Sequence, residues 1–252
     1  MRWRDEGNVN FMAERAKGLW ANIRTIFWGV MIAIVIRSLM VQPFTIPSGS
    51  MIPTLLVGDY VVVSKFTYGY SRFSFPFSPD IFGGGRIASS LPERGDVVVF
   101  RLPQNNTVDY IKRAIGLPGD RVQMRNGQLI INGAAVPNKF VGCDDAQPTT
   151  NNCRFQVFEE ILGDAPSLMM DSGRTRVDNT REFLVPEGHV FFMGDNRDNS
   201  EDSRLGVGFV PAENLVGRAD LVLFSIDEAF RISDPSTYAY LFRWGRFFTL
   251  VD

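Results

Sequence analysis

Two serines stand two positions apart in Pro47-Ser48-Gly49-Ser50-Met51-Ile52-Pro53-Thr54. Small residues let the backbone turn tightly there, and a tight turn can bring two hydroxyls together; the octapeptide could equally be a plain turn. A second candidate is Lys112, inside Asp109-Tyr110-Ile111-Lys112-Arg113-Ala114-Ile115-Gly116. On a strand, alternation places Tyr110, Lys112 and Ala114 on one face. A lysine so placed either snorkels or is desolvated, and burial lowers its pKa until the free amine is a base. Moving that pKa from about 10.4 to about 7 takes roughly 4–5 kcal/mol of environment, which a folded sheet can supply. The third candidate segment runs from Met193 to Arg204, MGDNRDNSEDSR. An EF-hand calcium loop would need D-x-D-x-D-G and a closing Glu, which are absent. Asp195, Arg197, Asp202 and Arg204 are better read as ion pairs within the segment that rigidify a loop.

The composition removes several other chemistries. A single histidine, His189, excludes His-rich metal sites, and two cysteines cannot form a Cys₄ zinc site. No cofactor or metal is expected. A Ser-His-Asp hydrolase would depend on His189 alone, which reads as structural. With 26 basic and 28 acidic side chains the net charge is −2, no footprint for nucleic acid. Aromatic residues at 12% exclude intrinsic disorder, and the 23 Gly and 14 Pro follow no period.

The elements that must position these residues begin with an apolar run. Residues 25–36 read TIFWGVMIAIVI, Arg37 interrupts, and SLMVQPF extends the run to Phe44. As a helix, twenty residues span about 30 Å, the thickness of a bilayer hydrocarbon core. A buried soluble helix and a cleaved signal peptide compete with an uncleaved signal anchor. Arg37 directly after the run and the lack of an A-x-A site argue against cleavage. Five basic residues (Arg2, Arg4, Arg15, Lys17, Arg24) precede the run and none lies between Arg37 and Lys65, which favours the anchor. The expected organisation is therefore a cytoplasmic basic segment 1–24, a membrane helix 25–44 and an exported domain 45–252, oriented by the positive-inside rule.

The exported part reads as mainly β. Tyr60–Phe66, Asp96–Leu102, Tyr110–Leu117, Val190–Met193 and Leu215–Ser225 are short and rich in β-branched or aromatic residues. Asn126-Gly127 and Asn132-Gly133 are hairpin-turn signals, and 121–185 is expected to contain a small inserted β subdomain. Cys143 and Cys153 are separated by nine residues. In an oxidising compartment they would close a short loop worth about 3 kcal/mol, and otherwise be two unrelated thiols; with the domain expected to be exported, a Cys143–Cys153 disulfide within the subdomain is the expectation. The segment 67–91 packs six aromatic residues among Gly, Ser and Pro. Like the C-terminal YLFRWGRFFTLV, it either covers the sheet or dips into a lipid interface.

Taken together, PSGSMIPTLLVGDYVVVSKF, RGDVVVF, DYIKRAIGLPGD and FFMGDNRDNSEDSRLGVGFV resemble the ordered motifs of bacterial type I signal peptidases. The resemblance implies an all-β Ser–Lys endopeptidase on a membrane anchor, removing signal peptides from secretory precursors after small residues. It places the nucleophile on Ser50 and the general base on Lys112. Ser48, with the backbone N–H of Ser50, would form the oxyanion hole, and Ser200 would orient the lysine. Phe100, Tyr110 and Met193 would shield the lysine from water. Ile46, Pro47 and Ile111 would contact substrate at a shallow pocket. It further implies a bacterial plasma-membrane location with the catalytic domain outside the cytoplasm, in contact with phospholipid and near the secretion translocon. Two alternatives share these residues: a peptidase dedicated to one precursor, and an inactive membrane-anchored domain that only binds signal peptides.

Overall fold

The structure is a computed structural model that describes residues 5–75, 78, 79, 83, 85–143, 155–163, 165–227, 229–231 and 233–251. It opens with a helix, α1 (Asp5–Leu39). Within it, Asn22–Leu39 is long and apolar enough to cross a membrane, and its side chains are almost all exposed. Trp20, Ile26, Phe27 and Trp28 all point outward rather than into a protein core. An apolar surface on every side of a helix suits lipid better than a soluble core.

The helix ends earlier than the apolar run predicts. Residues 41–45 leave it to form β1 (Val41–Thr45), antiparallel to β2 (Asp59–Ser64) with Val41 opposite Ser64. Pro43 supplies the physical reason, since it has no N–H to donate and disfavours helix at the residue before it. The new partners also hold the junction. Lys65 N–H donates to Met40 O at 2.9 Å, and the Tyr70 hydroxyl donates to Leu39 O at 2.6 Å.

Beyond α1 the chain is mainly β. In chain order follow β3 (Val97–Leu102), β4 (Asn105–Gly116), β5 (Arg121–Arg125), β6 (Gln128–Ile131), β7 (Ala134–Ala135), β8 (Asn138–Cys143), β9 (Gln156–Ile161) and β10 (Pro166–Asp171). Then come β11 (Phe183–Leu184), β12 (His189–Met193), β13 (Val210–Pro211), β14 (Leu215–Ser225) and β15 (Thr249–Leu250). The main sheet runs β1-β2-β14-β3-β4-β12-β13, with β15 also paired to β14. Two smaller sheets arise from the region between β4 and β12: β11-β5-β6-β7 and β10-β9-β8. The Asn-Gly pairs close the turns as expected. Asn126 and Gly127 have φ of 49° and 79°, and Asn132 and Gly133 have 53° and 81°, the left-handed conformations of tight hairpins.

Side-chain alternation along these strands sorts the core into separate clusters. One joins Val61, Val63, Val97, Val99 and Val222. A second, around Val98, Phe100, Ala114 and Phe192, lies on the other face of β3 and β4. Of the aromatic segment 67–91, Tyr68 and Phe73 are buried in the domain, whereas Ile87 is exposed. Those two rings pack into the core clusters on either face of the sheet, as a covering loop would. Arg86 ties it down by donating to the carbonyls of Tyr68, Gly69, Ala212, Glu213 and Leu215.

Candidate active site

The turn that carries Ser48 and Ser50 is built where β1 leaves the sheet. Ile46 N–H donates to Asp59 O at 2.9 Å and Gly58 N–H donates to Ile46 O at 3.0 Å, which anchors the strand end. Ser48 is still extended, and Gly49–Met51 then form one turn of 3₁₀ helix. Met51 and Leu55, both fully buried, pin that turn to the core. Ser50 is 8% exposed, and Ser48 Oγ lies 3.4 Å from Ser50 Oγ.

Lys112 reaches this turn from the middle of β4, opposite Val98 of β3. It is 4% exposed. Its Nζ donates to Ser50 Oγ at 2.6 Å and to Ile111 O at 2.9 Å. Burial pulls its pKa from 10.5 down to about 8, while the carboxylates of Asp202, Asp195 and Glu201 act in the opposite sense. An amine with this pKa is substantially uncharged near pH 8 and lies within proton-transfer distance of a hydroxyl. A hydroxyl needs such a base to become a nucleophile, and an uncharged amine can serve where no histidine is at hand.

The shield around Lys112 differs from the sequence expectation at one position. Phe100 is fully buried, and Tyr110 places its ring centroid 5.3 Å from Lys112 Nζ. Met193 does not share their cluster: it pairs with Arg113 and packs with Ile115, Phe191 and Val122. The neighbouring Phe192 pairs with Ala114 and stacks on Phe100 at 4.6 Å. Strand alternation explains the exchange, because Lys112 and Ala114 share a face that Arg113 does not.

Residues 194–204 close the site from the other side. A Cβ on Gly194 would lie 2.4 Å from Ser50 O and 2.3 Å from Ser200 Oγ, so only glycine permits this approach. Asn196 N–H donates to Ser50 O at 3.1 Å, and its side-chain amide donates to Gly49 O at 3.0 Å. Ser200 is buried beside them, but its Oγ makes no hydrogen bond to any described residue. The second hydrogen bond of Lys112 Nζ goes to the Ile111 carbonyl.

The ion pairs also depart from the expected pattern. Among the described residues, Arg204 and Asp202 alone pair within the loop, at 2.8 Å. Asp195 takes a two-pronged contact from Arg113 of β4, with both N···O distances 2.7 Å. Arg197 pairs with Glu160 of β9, a fully buried residue that nothing in its local sequence singles out. Sequence spacing could not reveal these partners, since each lies on another element. Asn196 went unnoticed because an asparagine inside an acidic run carries no signal of its contact with the nucleophile turn.

Ile46 is 2% exposed and belongs to the core; Ile111, half-buried, packs against the same cluster; Pro47 and Ser48 are exposed beside them. His189 opens β12 opposite Pro211, and its Nδ1 contacts Glu187 O at 2.9 Å, away from Ser50 and Lys112. Cys143 ends β8, whereas Cys153 lies outside the described residues. A cavity of about 700 Å³ is lined by Arg94, Asp96, Arg113 and Leu162. Arg113 projects from the opposite face of β4 to Lys112, so that cavity lies behind the Ser–Lys pair.

The family described as "Signal peptidase, peptidase S26" matches residues 19–224. A relative named signal peptidase I from Rickettsia typhi is 43% identical over 206 residues, 78% of this chain and 76% of its own length. Another of that name from Rickettsia prowazekii is 39% identical over 239 residues, covering 88% and 84%. A crystal structure of a signal peptidase I from Enterococcus faecalis is 28% identical, covering 51% of this chain and 97% of its own, with a TM-score of 0.32. The chain belongs to the peptidase S26 family of signal peptidases.

Proposed function

We propose that this chain is a membrane-anchored serine endopeptidase that removes N-terminal signal peptides from exported precursors, cleaving after small residues in A-x-A type sites. Family membership supports the activity, and one observation carries the mechanism: the buried 2.6 Å contact between Lys112 Nζ and Ser50 Oγ. Neutral Lys112 takes the proton of Ser50 as Oγ attacks the scissile carbonyl carbon. The tetrahedral oxyanion accepts hydrogen bonds from the Ser50 backbone N–H and the Ser48 hydroxyl. The new ammonium then protonates the departing amine, the C–N bond breaks, and an ester to Ser50 remains. Water, deprotonated by Lys112, cleaves that ester and restores the serine.

The strand edges suit an extended substrate. Residues 105–112 of β4 pair with β3 on one side, and among the described residues no strand pairs with their other side. β1 is itself an edge strand that leads straight into Ser48 and Ser50. A precursor segment can add there as a strand, with its small side chains toward Ile46, Pro47 and Ile111.

The membrane sets the substrate's depth. Ten residues lie between Leu39 and Ser50, at most about 40 Å of extended chain, so the site works close to the bilayer surface. The precursor's own apolar segment brings its cleavage site to the same level. Residues 1–24 would be cytoplasmic and the β domain extracytoplasmic, near the translocon and against phospholipid. Exposed Trp244, Phe248 and Phe66 have the character of interfacial side chains. A Cys143–Cys153 disulfide fits that compartment, and among the described residues no cysteine is free.

The deciding experiment is cleavage of a precursor bearing an A-x-A site by wild type, Ser50→Ala and Lys112→Ala. The wild type should process it, and both variants should not. Processing by either variant at the wild-type rate would defeat the assignment.

A further inference from the structure

We infer that Glu160, on the inserted β8–β10 sheet, is a positioning residue for the reaction: through Arg197 it braces the loop that clamps the nucleophile turn. The inference rests on the reading of Ser50 and Lys112 given above.

Each contact in the relay is direct. Glu160 is fully buried and Arg197 is 3% exposed. The guanidinium meets the carboxylate with both prongs: Arg197 Nη1 donates to Glu160 Oε1 at 3.0 Å, and Nη2 donates to Oε2. The backbone on either side is held to the same sheet. Arg197 N–H donates to Met170 O at 2.9 Å, and Met170 N–H donates to Asp195 O at 2.8 Å, a short parallel bridge to β10. Arg204 Nη2 adds a bond to the Arg197 carbonyl at 2.5 Å. Between these anchors sits Asn196, which holds Ser50 O and Gly49 O. One peptide unit and one hydrogen bond thus connect Arg197 to the nucleophile.

A paired guanidinium and carboxylate form a planar fork whose value lies in direction. Apolar side chains of similar volume would serve burial as well or better, so packing alone does not call for this pair. Lys112 approaches Ser50 from β4, and the Arg113–Asp195 pair ties β4 to the same loop. The loop that carries Asp195, Asn196 and Arg197 therefore sets the position of both serine and lysine. A misplacement of about 1 Å between reacting groups can cost about 10²-fold in rate.

The test compares wild type, Glu160→Gln and the double variant Glu160→Met/Arg197→Met in the full chain, with Ser50→Ala alongside. Thermal unfolding, kcat and KM are measured for each on an A-x-A precursor. Glu160→Gln should lower kcat by about 10²-fold and leave KM near wild type. The double variant removes the stranded charge, so it should recover thermal stability and still show the low kcat. A folded Glu160→Gln with wild-type kcat would overturn the inference, as would recovery of kcat in the double variant. If Glu160→Gln fails to fold, the double variant alone decides by the same criterion. Normal turnover by Ser50→Ala would instead refute the Ser–Lys reading. An inactive Ser50→Ala beside fully active Glu160 variants would refute only the brace.

Discussion

Lys112 on β4 and Lys65 just after β2 are both buried, 4% and 2% exposed, and burial draws both pKa values down to about 8. Their partners differ. Lys112 Nζ meets the hydroxyl of Ser50, whereas Lys65 Nζ donates to the carbonyl of Ser74 at 2.7 Å. A carbonyl has no proton to surrender, so Lys65 can only hold the segment around Ser74 against β2. The surrounding charges differ as well. Asp202, Asp195 and Glu201 face Lys112, while Arg37 and Arg101 push Lys65 further down and Asp109 opposes them. A depressed lysine pKa is therefore not itself a sign of catalysis; the group at the end of the hydrogen bond decides.

The sharpest way to break this contrast is the same substitution at both lysines. Lys112→Arg keeps the charge and cannot accept a proton, so turnover should fall by about 10³-fold or more. Lys65→Arg, if folded, should cleave a precursor at a rate close to wild type. Near-normal cleavage by Lys112→Arg would end the general-base assignment.

Next in size is the loss of one oxyanion donor. Ser48→Ala should reduce kcat by about 10²–10³-fold, because the Ser50 N–H remains as the second donor. A change in KM with kcat preserved would move Ser48 from the transition state to substrate binding.

The pH profile separates the two lysines more finely. The active form has neutral Lys112, whose fraction grows with pH, so kcat/KM should climb from acid pH and level off above about 8. At two pH units below the pKa the rate should be lower by about 10²-fold. Lys65→Met should leave that inflection in place; its disappearance there would assign the titration to the wrong lysine.

The smallest effect is expected at His189, where alanine should leave kcat unchanged in a folded protein. Loss of turnover there would reopen a histidine mechanism.

Local pattern carried a large part of this molecule. The Asn-Gly turns and the β-branched runs declared their strands because φ preferences and alternation act between near neighbours. The apolar run from Thr25 announced a helix for the same reason. Its end at Leu39 was legible only in part: Pro43 bars the helix from running on, but the strand that replaces it exists only because β2 offers it hydrogen bonds. Ser50 and Lys112 stood out by type and by motif, yet 62 positions separate them and their contact depends on how β4 registers against the nucleophile turn. Register likewise put Phe192, not Met193, on the lysine's face. Arg197 looked like a partner for its acidic neighbours, and folding gave it to Glu160 instead. Hydrogen bonds and ion pairs between distant elements form in space, and no short window of residues contains both partners.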